Sequence, residues 1–547
     1  MEGRRPPPFN PAAVDPYPAA APPLEAYPQQ PPASYGAPPP KYSGHYGTPG
    51  TGSDYQAHWG AMEEGKGGGP HFQQGGPPAR GPESYVPHDD MGGQLLQNSG
   101  GGQSHGKRKC NDIFFALLFY IHLGVVIGLG IWGVKRQKDW SNDKHHNQDA
   151  INSDHWQAYL AILSTCALVA FLFASLMVFL VQKYPRKLII FAKSVNIIFS
   201  LAFSIYFFST DVIAPAIVFL IIGLLNCVYL CLVWRRIPFA SVTLAYAGKV
   251  IGKYPSLVGC SVVVLFLQLA YWAIWCFSIF ALIDQGECNN NNNNNNNEDC
   301  TGTGGLAWLM ILLLFWAMEV FRNIVHVTTS GTVGAFYFHG AGGEKNAAGK
   351  SLWRALTTSF GSICFGSLLV AIIQTLRSMA SSMRRRKNNI LACLCECIFQ
   401  CLERIIRYFN AYAYVQVAIY GVSYLKAAKN TFKLISRRGL EGLINDNLVG
   451  PVLFLSSLFG AGLTFLIAYL WAGSYGSFNS DERVVVSVFA LLIGFVIVLI
   501  VMSLIASAVM AIFVCWAEQP DCMERNDPVT HEHFKTAQAG YSTPPGN

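Results

Sequence analysis

The sequence predicts an all-α polytopic integral membrane protein, with about ten transmembrane helices behind a disordered Pro/Gly-rich N-terminal tail. Of the 547 residues, 51% are hydrophobic and only 13% are charged, whereas soluble proteins contain about 25% charged residues. The first 106 residues hold 20 of the 29 prolines, so the remainder is more apolar than the average. Long apolar runs follow one another along that remainder. These observations exclude a soluble multidomain protein.

The N-terminal tail, residues 1–106, contains Pro- and Gly-rich runs with too little apolar surface to offset the entropy of ordering. The cluster Lys107-Arg108-Lys109 follows it, directly before the first apolar run, and predicts a cytoplasmic N-terminus. We expect a multi-span membrane domain over 107–520 and a cytoplasmic C-terminal tail over 521–547. The formal charge of +7 is spread along the chain and does not favour nucleic-acid binding.

Nine apolar runs are long enough to cross ~30 Å of hydrocarbon. They lie at about 113–134, 158–181, 188–209, 212–234, 257–283, 306–327, 359–380, 448–471 and 484–515. A tenth candidate, at about 411–432, is less apolar. Ten spans return the C-terminus to the cytoplasm and agree with most Lys/Arg clusters, but they place Arg384–Lys387 outside. The alternative is nine spans plus an interfacial helix at 390–409.

The loop at 284–305 is predicted to be extracellular and contains an asparagine tract between Cys288 and Cys300. An oxidising compartment favours a disulfide between these cysteines, with two unpaired thiols as the alternative. N-glycosylation is not expected, since the sequence contains no N-x-Ser/Thr sequon. The cysteines of 393–401 lack the paired C-x2-C spacing of zinc ribbons, so we expect no metal there and consider S-palmitoylation instead.

Common catalytic motifs are absent from the sequence. It contains no Walker A loop, no G-x-S-x-G and no H-E-x-x-H. We therefore expect no ATP hydrolysis, no enzymatic activity and no cofactor.

One face of the run at 306–327 combines aromatic and ionisable residues. They are Trp308, Phe315, Glu319, Arg322 and His326, spaced by seven, four, three and four. Because charges are costly inside a membrane, this face should look into the bundle or a water-filled cavity. The first three are candidates for binding a solute, and the last three for a gate or for coupling. Alternatively, Glu319 and Arg322 form a self-neutralising pair near the cytoplasmic end.

The preceding run carries an aromatic stripe made of Gln268, Tyr271, Trp272 and Trp275, at i, i+3, i+4 and i+7. Quaternary ammonium groups donate no hydrogen bonds, and proteins hold them against aromatic faces by cation–π attraction. The stripe suits such a ligand. It is also typical of the aromatic belt at a membrane interface.

Several sequence blocks together resemble the choline transporter-like family, and most of all its fungal PNS-type members. The blocks are Ser359–Ile372, Asn410–Tyr414, Ala418–Gly421, Ala428–Phe432 and Asn323–Thr328. The resemblance covers about residues 107–520. It implies a ten-span transporter of the plasma membrane with both termini in the cytoplasm, and choline as the candidate solute.

These observations together predict a transporter or facilitator of a small organic solute, choline or a related organic cation, working by alternating access. The alternatives are a channel, which no filter-like repeat supports, and a non-transporting membrane scaffold. In the tail, Pro39-Pro40-Lys41-Tyr42 matches the P-P-x-Y ligand of WW domains. Pro39, Pro40 and Tyr42 thus predict a WW-domain ubiquitin ligase as partner, unless the match is due to chance in a tail so rich in Pro and Tyr.

Overall fold

A computed structural model describes residues 110–143, 156–288, 300–340, 342, 345–387, 390–474 and 478–542. These residues form fourteen α-helices and one short 3-10 turn, Trp234–Arg236, and no strand. The helices are α1 (Ile113–Asp143), α2 (Trp156–Lys183), α3 (Pro185–Ser209), α4 (Ile213–Val233), α5 (Ile237–Lys253), α6 (Ser256–Cys288), α7 (Cys300–His339), α8 (Ala347–Leu356), α9 (Phe360–Lys387), α10 (Ile390–Tyr420), α11 (Tyr424–Ser474), α12 (Ser480–Glu518), α13 (Pro520–Asn526) and α14 (Pro528–Ser542).

The structure confirms the all-α polytopic fold. Within the described ranges, nine stretches are long and apolar enough to cross a membrane. They lie in α1, α2, α3, α4 with α5, α6, α7, α9, the second part of α11, and α12, so each predicted apolar run has its counterpart. α3 and α4 present apolar side chains outward, with Ile205 70% and Leu232 76% exposed. A surface of this kind faces lipid.

α10 runs antiparallel to α9 along its whole length. Near one end of this pair, Asn410 of α10 donates from Nδ2 to the Gly366 carbonyl of α9 at 2.8 Å. At the other end, Arg384 of α9 and Glu396 of α10 form an ion pair at 2.7 Å. A helix of this length extends over more than ~30 Å. α10 is therefore long enough to cross a membrane beside α9, although it is not among the nine apolar stretches.

The predicted tenth span at 411–432 is wrong in its position. α10 ends at Tyr420, Gly421 adopts a positive φ of 64°, and a new helix begins at Tyr424. Residues 390–409, the interfacial helix of the nine-span alternative, form the first part of α10, and that alternative stays a prediction. The prediction included the second part of α10 but missed the first, because Glu396, Glu403 and Arg407 interrupt its apolar positions in the sequence.

We call the side of the bundle where α1 begins and α12 ends the terminal face. There, Asn111 donates from Nδ2 to the Gly421 carbonyl at 2.8 Å, which joins the start of α1 to the end of α10. Gln416 and Tyr420 of α10 both donate to the carboxylate of Glu518, the last residue of α12. The other side, where α9 ends and α10 begins, is the opposite face.

Short helices cover part of the terminal face. Residues 521–547, expected as a tail, include most of α13 and α14, and both helices pack onto the bundle. Asn526 donates from Nδ2 to the Tyr337 carbonyl at the end of α7, at 2.9 Å. Phe534 of α14 is fully buried, with its ring 5.5 Å from that of Phe239 in α5.

Candidate functional site

Glu319 lies near the middle of α7, and its side chain is only 7% exposed. The sequence ended this span at 327, whereas α7 continues to His339. Glu319 and Arg322 therefore lie near the middle of the helix and not at its end. The pair itself is present, since Arg322 Nη2 lies 2.7 Å from Glu319 Oε2.

The Glu319–Arg322 pair is one part of a larger network that joins α7, α9 and α10. Arg407 of α10 bonds Glu319 Oε1 at 2.7 Å through Nη1, and Glu403 Oε1 at 2.9 Å through Nε. Arg377 of α9 bonds Glu403 Oε2 through Nη1 at 2.9 Å. We call these five residues the charge network. Arg407 is its centre, because it is the residue that bonds both carboxylates.

The charge network holds three guanidinium groups against two carboxylates, a formal excess of one positive charge. Both carboxylates are buried, so they depend on their arginine partners. Arg322 differs from the rest of the network, since 56% of its side chain is exposed. At mid-span, contact with lipid would be costly for a guanidinium. The exposed part of Arg322 therefore indicates a water-accessible crevice.

A polar cleft of about 390 Å³ lies on the opposite face between α9 and α10. Its lining residues are Arg377, Ser378, Ser381, Ser382, Arg385, Glu396 and Gln400. Arg377 belongs both to this cleft and to the charge network. The cleft therefore adjoins the charge network at Arg377.

A layer of neutral polar side chains separates the charge network from the terminal face. Asn323 donates from Nδ2 to Ser367 Oγ at 2.9 Å. His326 Nε2 lies 2.9 Å from the Ala411 carbonyl, and its Nδ1 lies 2.9 Å from Ser507 Oγ. Since a carbonyl only accepts, Nε2 carries the proton and Ser507 donates to Nδ1 in the neutral ring. His326 therefore ties α7 to α10 and α12.

The residues of the aromatic stripe on α6 lie in two different environments, one against neighbouring helices and one exposed. Tyr271 is buried, and its hydroxyl lies 2.8 Å from His122 Nε2 of α1. Trp275 donates from Nε1 to the Met310 carbonyl of α7 at 2.8 Å. Trp272 is 51% exposed and shares neither contact.

The remaining residues of the two predicted faces contribute packing in this conformation. Gln268 Nε2 lies 3.4 Å from the Met318 sulfur of α7. Phe315 packs against the buried cluster around α1, α7 and α9, and Trp308 is half-buried. Of the predicted residues, the structure brings Glu319 and Arg322 into the charge network, while His326 lies in the polar layer beside it.

Known proteins resemble this chain over most of its length. The model of a family described as "Plasma-membrane choline transporter" matches residues 217–521. The chain is 31% identical over 443 residues to Protein PNS1 of Gibberella zeae, covering 77% of this chain and 81% of that protein. It is 30% identical over 458 residues to Protein PNS1 of Kluyveromyces lactis, covering 77% and 80%. The chain belongs to the choline transporter-like family.

A more distant relative also matches most of the chain. A CTL-like protein of Dictyostelium discoideum is 27% identical over 435 residues, covering 78% of this chain and 75% of that protein. The resemblance read from the sequence blocks is thus confirmed. Family membership also supports the broad assignment as a membrane transporter.

The sequence analysis did not identify three members of the charge network, Arg377, Glu403 and Arg407. Glu403 and Arg407 are four residues apart, a spacing that places both on one helical face. That signal was available, but the segment was assigned to a loop or an interfacial helix. Arg377 lies at the end of a predicted span, where a basic residue is common.

Two other sequence predictions lie outside the described residues. The P-P-x-Y motif of Pro39, Pro40 and Tyr42 is in the undescribed N-terminal region. Cys288 ends α6 and Cys300 begins α7, but their side chains are not described. The disulfide and the WW ligand both stay predictions.

Proposed function

We propose that this member of the family carries choline or a related organic cation across the plasma membrane by alternating access. The observation that carries the proposal is the charge network: two buried carboxylates at mid-span, held by arginines of which one is largely exposed. A quaternary ammonium group needs a negative partner in a site shielded from lipid. Glu319 and Glu403 supply that charge, and the family description supports this class of solute.

Binding of a cation requires a change in the charge network. The network already has a formal excess of one positive charge, and a further cation would double that excess. Arg322 is the partner that can leave, because its side chain is mostly exposed and it holds Glu319 through a bond at 2.7 Å. The solute then takes the place of Arg322 beside Glu319, while Arg407 keeps the second carboxylate oxygen.

The route runs from the cleft on the opposite face to the charge network, and onward past the polar layer. In this conformation the terminal face is closed by the bonds of Gln416 and Tyr420 to Glu518. Opening towards that face requires α10 and α12 to separate there, with closure of α9 onto α10 at the cleft. Movements of packed helices of this kind are typical of transporters.

For orientation, we propose that the terminal face is cytoplasmic, which places both termini inside the cell. Lys183, Arg186 and Lys187 lie at this face, where α2 ends and α3 begins. The short connection between α4 and α5 adds Arg235 and Arg236. Basic residues of short loops favour the cytoplasmic side. At the opposite face, Arg384 is paired with Glu396, so its positive charge counts less when the basic residues of the two faces are compared.

Uptake of labelled choline into liposomes that contain the purified protein tests the proposal. Removing a carboxylate that contacts the cation costs ~1.5–3 kcal/mol, or about ten- to a hundredfold in uptake. We expect that loss for Glu319→Gln. The matched control is Glu532→Gln, the same change at a side chain 65% exposed on α14, which should leave uptake unchanged.

The variant Arg322→Gln distinguishes two roles of the Glu319–Arg322 pair, solute binding and a purely structural role. If Arg322 competes with the cation, its removal lowers the KM for choline by up to about fivefold, the worth of an exposed ion pair. A structural role predicts an unchanged or raised KM. Absence of any carrier-mediated uptake by the wild-type protein would instead favour the scaffold alternative, and uptake without trans-stimulation would favour the channel.

A further inference from the structure

A second polar cavity lies at the terminal face. None of the five residues of the charge network lines it. Its volume is about 450 Å³, within the range of sites for small ligands. It lies between the end of α2, the start of α3, α5 and the start of α14. Its lining residues include Gln182, Lys183, Tyr246, Lys249, Thr530 and His533.

The groups around this cavity favour an anion. Lys183 and Lys249 both line it, and His533 is a third group that can carry a positive charge. Two helices also begin here, α3 at Pro185 and α14 at Pro528. Helix N-termini add partial positive charge and backbone N–H donors. Lysines and helix starts on different elements thus converge on one space.

Aromatic rings hold both lysines near the cavity. Lys183 Nζ lies 5.4 Å from the ring centroid of Tyr184 and 5.6 Å from that of Phe179. Lys249 Nζ lies 5.8 Å from the ring centroid of Tyr246. Packing against rings reduces the conformational freedom that a lysine loses on binding a ligand.

One carboxylate competes for the site. Asp527 Oδ2 accepts from Lys249 Nζ at 2.6 Å, and Asp527 Oδ1 accepts from the Thr530 backbone N–H at 3.2 Å. Partial burial alone would raise the pKa of Asp527, but the hydrogen bonds from Lys249 and Thr530 outweigh it and lower that pKa. Asp527 is therefore ionised at neutral pH and occupies one lysine, while Lys183 has no carboxylate partner among the described residues.

We propose that this cavity binds the phosphate-bearing headgroup of an anionic membrane lipid. The phosphate would lie between Lys183 and Lys249, with a further donor in the second amide hydrogen of Gln182, whose first bonds the Gly248 carbonyl. The cavity is located where two spans meet the membrane surface, and Phe179 beside it is 53% exposed, which leaves apolar surface for an acyl chain. Because Thr530 and His533 belong to α14, a bound headgroup also fastens this helix to α2 and α5.

A binding titration on the full chain tests the proposal. The protein is placed in phosphatidylcholine nanodiscs and titrated with a fluorescent phosphoinositide. A lysine near an anionic lipid surface is worth ~1 kcal/mol, so Lys183→Gln and Lys249→Gln should each weaken binding about fivefold. The control Lys535→Gln removes a 69% exposed lysine of α14 that does not line the cavity, and should have no effect.

Asp527→Asn provides the sharpest comparison. Both Lys249→Gln and Asp527→Asn break the same ion pair and should destabilise the attachment of α14 alike. Only the first removes a ligand for phosphate, whereas the second removes the competing carboxylate and should tighten binding. Equal weakening by the two variants would overturn the proposal in favour of a purely structural pair.

The source of the phosphate is decided by competition. Soluble inositol phosphates and inorganic phosphate are added at the titration midpoint. A lipid site predicts that they compete at least tenfold less well than the lipid, because they lack the acyl chains. Equal competition by the soluble compounds would overturn the lipid assignment, and equal lipid binding by all lysine variants would overturn the site. None of these results depends on whether choline is the transported solute.

Discussion

The central role of Arg407 in the charge network leads to a sharp prediction about stability. Arg407→Gln removes the guanidinium that bonds Glu319 at 2.7 Å and Glu403 at 2.9 Å. Each carboxylate then retains a single arginine, Arg322 or Arg377. Arg322→Gln is the matched comparison, because it is the same substitution at the edge of the same network.

The expected magnitudes follow from burial. Arg407 is 24% exposed and its two carboxylate partners are 7% and 8% exposed. Removing one partner of a buried ion pair costs ~3–5 kcal/mol. Arg322 is 56% exposed and bonds one carboxylate, and an exposed pair is worth ~0–1 kcal/mol. We therefore expect Arg407→Gln to be several times more destabilising than Arg322→Gln.

The assay is thermal unfolding of the purified variants in one detergent, followed by tryptophan fluorescence. A loss of this size should lower the Tm by roughly 5–10 °C for Arg407→Gln, and by less than about 3 °C for Arg322→Gln. Arg407→Lys should rescue only part of the loss, since one ammonium does not reproduce the fork that joins two carboxylates. Equal shifts for the two glutamine variants would refute the reasoning.

Three further predictions address packing, topology and the tail. Gly361→Ala places a Cβ 2.3 Å from the Asp112 carbonyl oxygen, so the yield of folded protein in a size-exclusion assay should fall greatly. The control Gly462→Ala places a Cβ with no atom within 4 Å and should leave that yield unchanged. A tag at residue 289 should be labelled on intact cells and tags at both termini should not; surface labelling of a terminal tag would contradict the ten-span topology. Tyr42→Ala should lengthen the surface half-life in a chase experiment without changing transport per molecule, and identical half-lives would make the WW match coincidental.

The fold could be predicted where helices face lipid. Spans such as α3 and α4 expose apolar side chains on their outer surfaces, and a high hydropathy is the direct result. α10 could not be found in this way, because Asn410 and Gln416 are buried among other helices and hydrogen-bonded there. The buried second part of α10 has no need of an apolar sequence, and in the exposed first part charged residues lie between apolar ones such as Leu394 and Ile405, so hydropathy is a weak guide to this helix.

The same reason limits prediction of the candidate site. Glu319 and Arg322 were visible because they interrupt an apolar run in the sequence. Glu403 and Arg407 lie in a segment with many charges, and only their position beside α7 and α9 reveals that they are buried. On α6, helical periodicity grouped Tyr271 and Trp275, and both contact neighbouring helices in the structure. It could not separate them from Trp272, which lies just beyond the edge of the contact and is exposed.

In the transport mechanism that we propose, the charge network links stability to transport through the same bonds. Buried carboxylates at mid-span are tolerated only while each has a cationic partner. A cationic solute that displaces Arg322 supplies such a partner itself, so Glu319 stays neutralised whether the site holds the solute or the arginine. Release of the solute then returns Arg322 to Glu319, and Arg407 keeps α7 and α10 together throughout. In this proposed cycle the more exposed Arg322 would serve exchange, and the less exposed Arg407 would hold together the helices between which the exchange takes place.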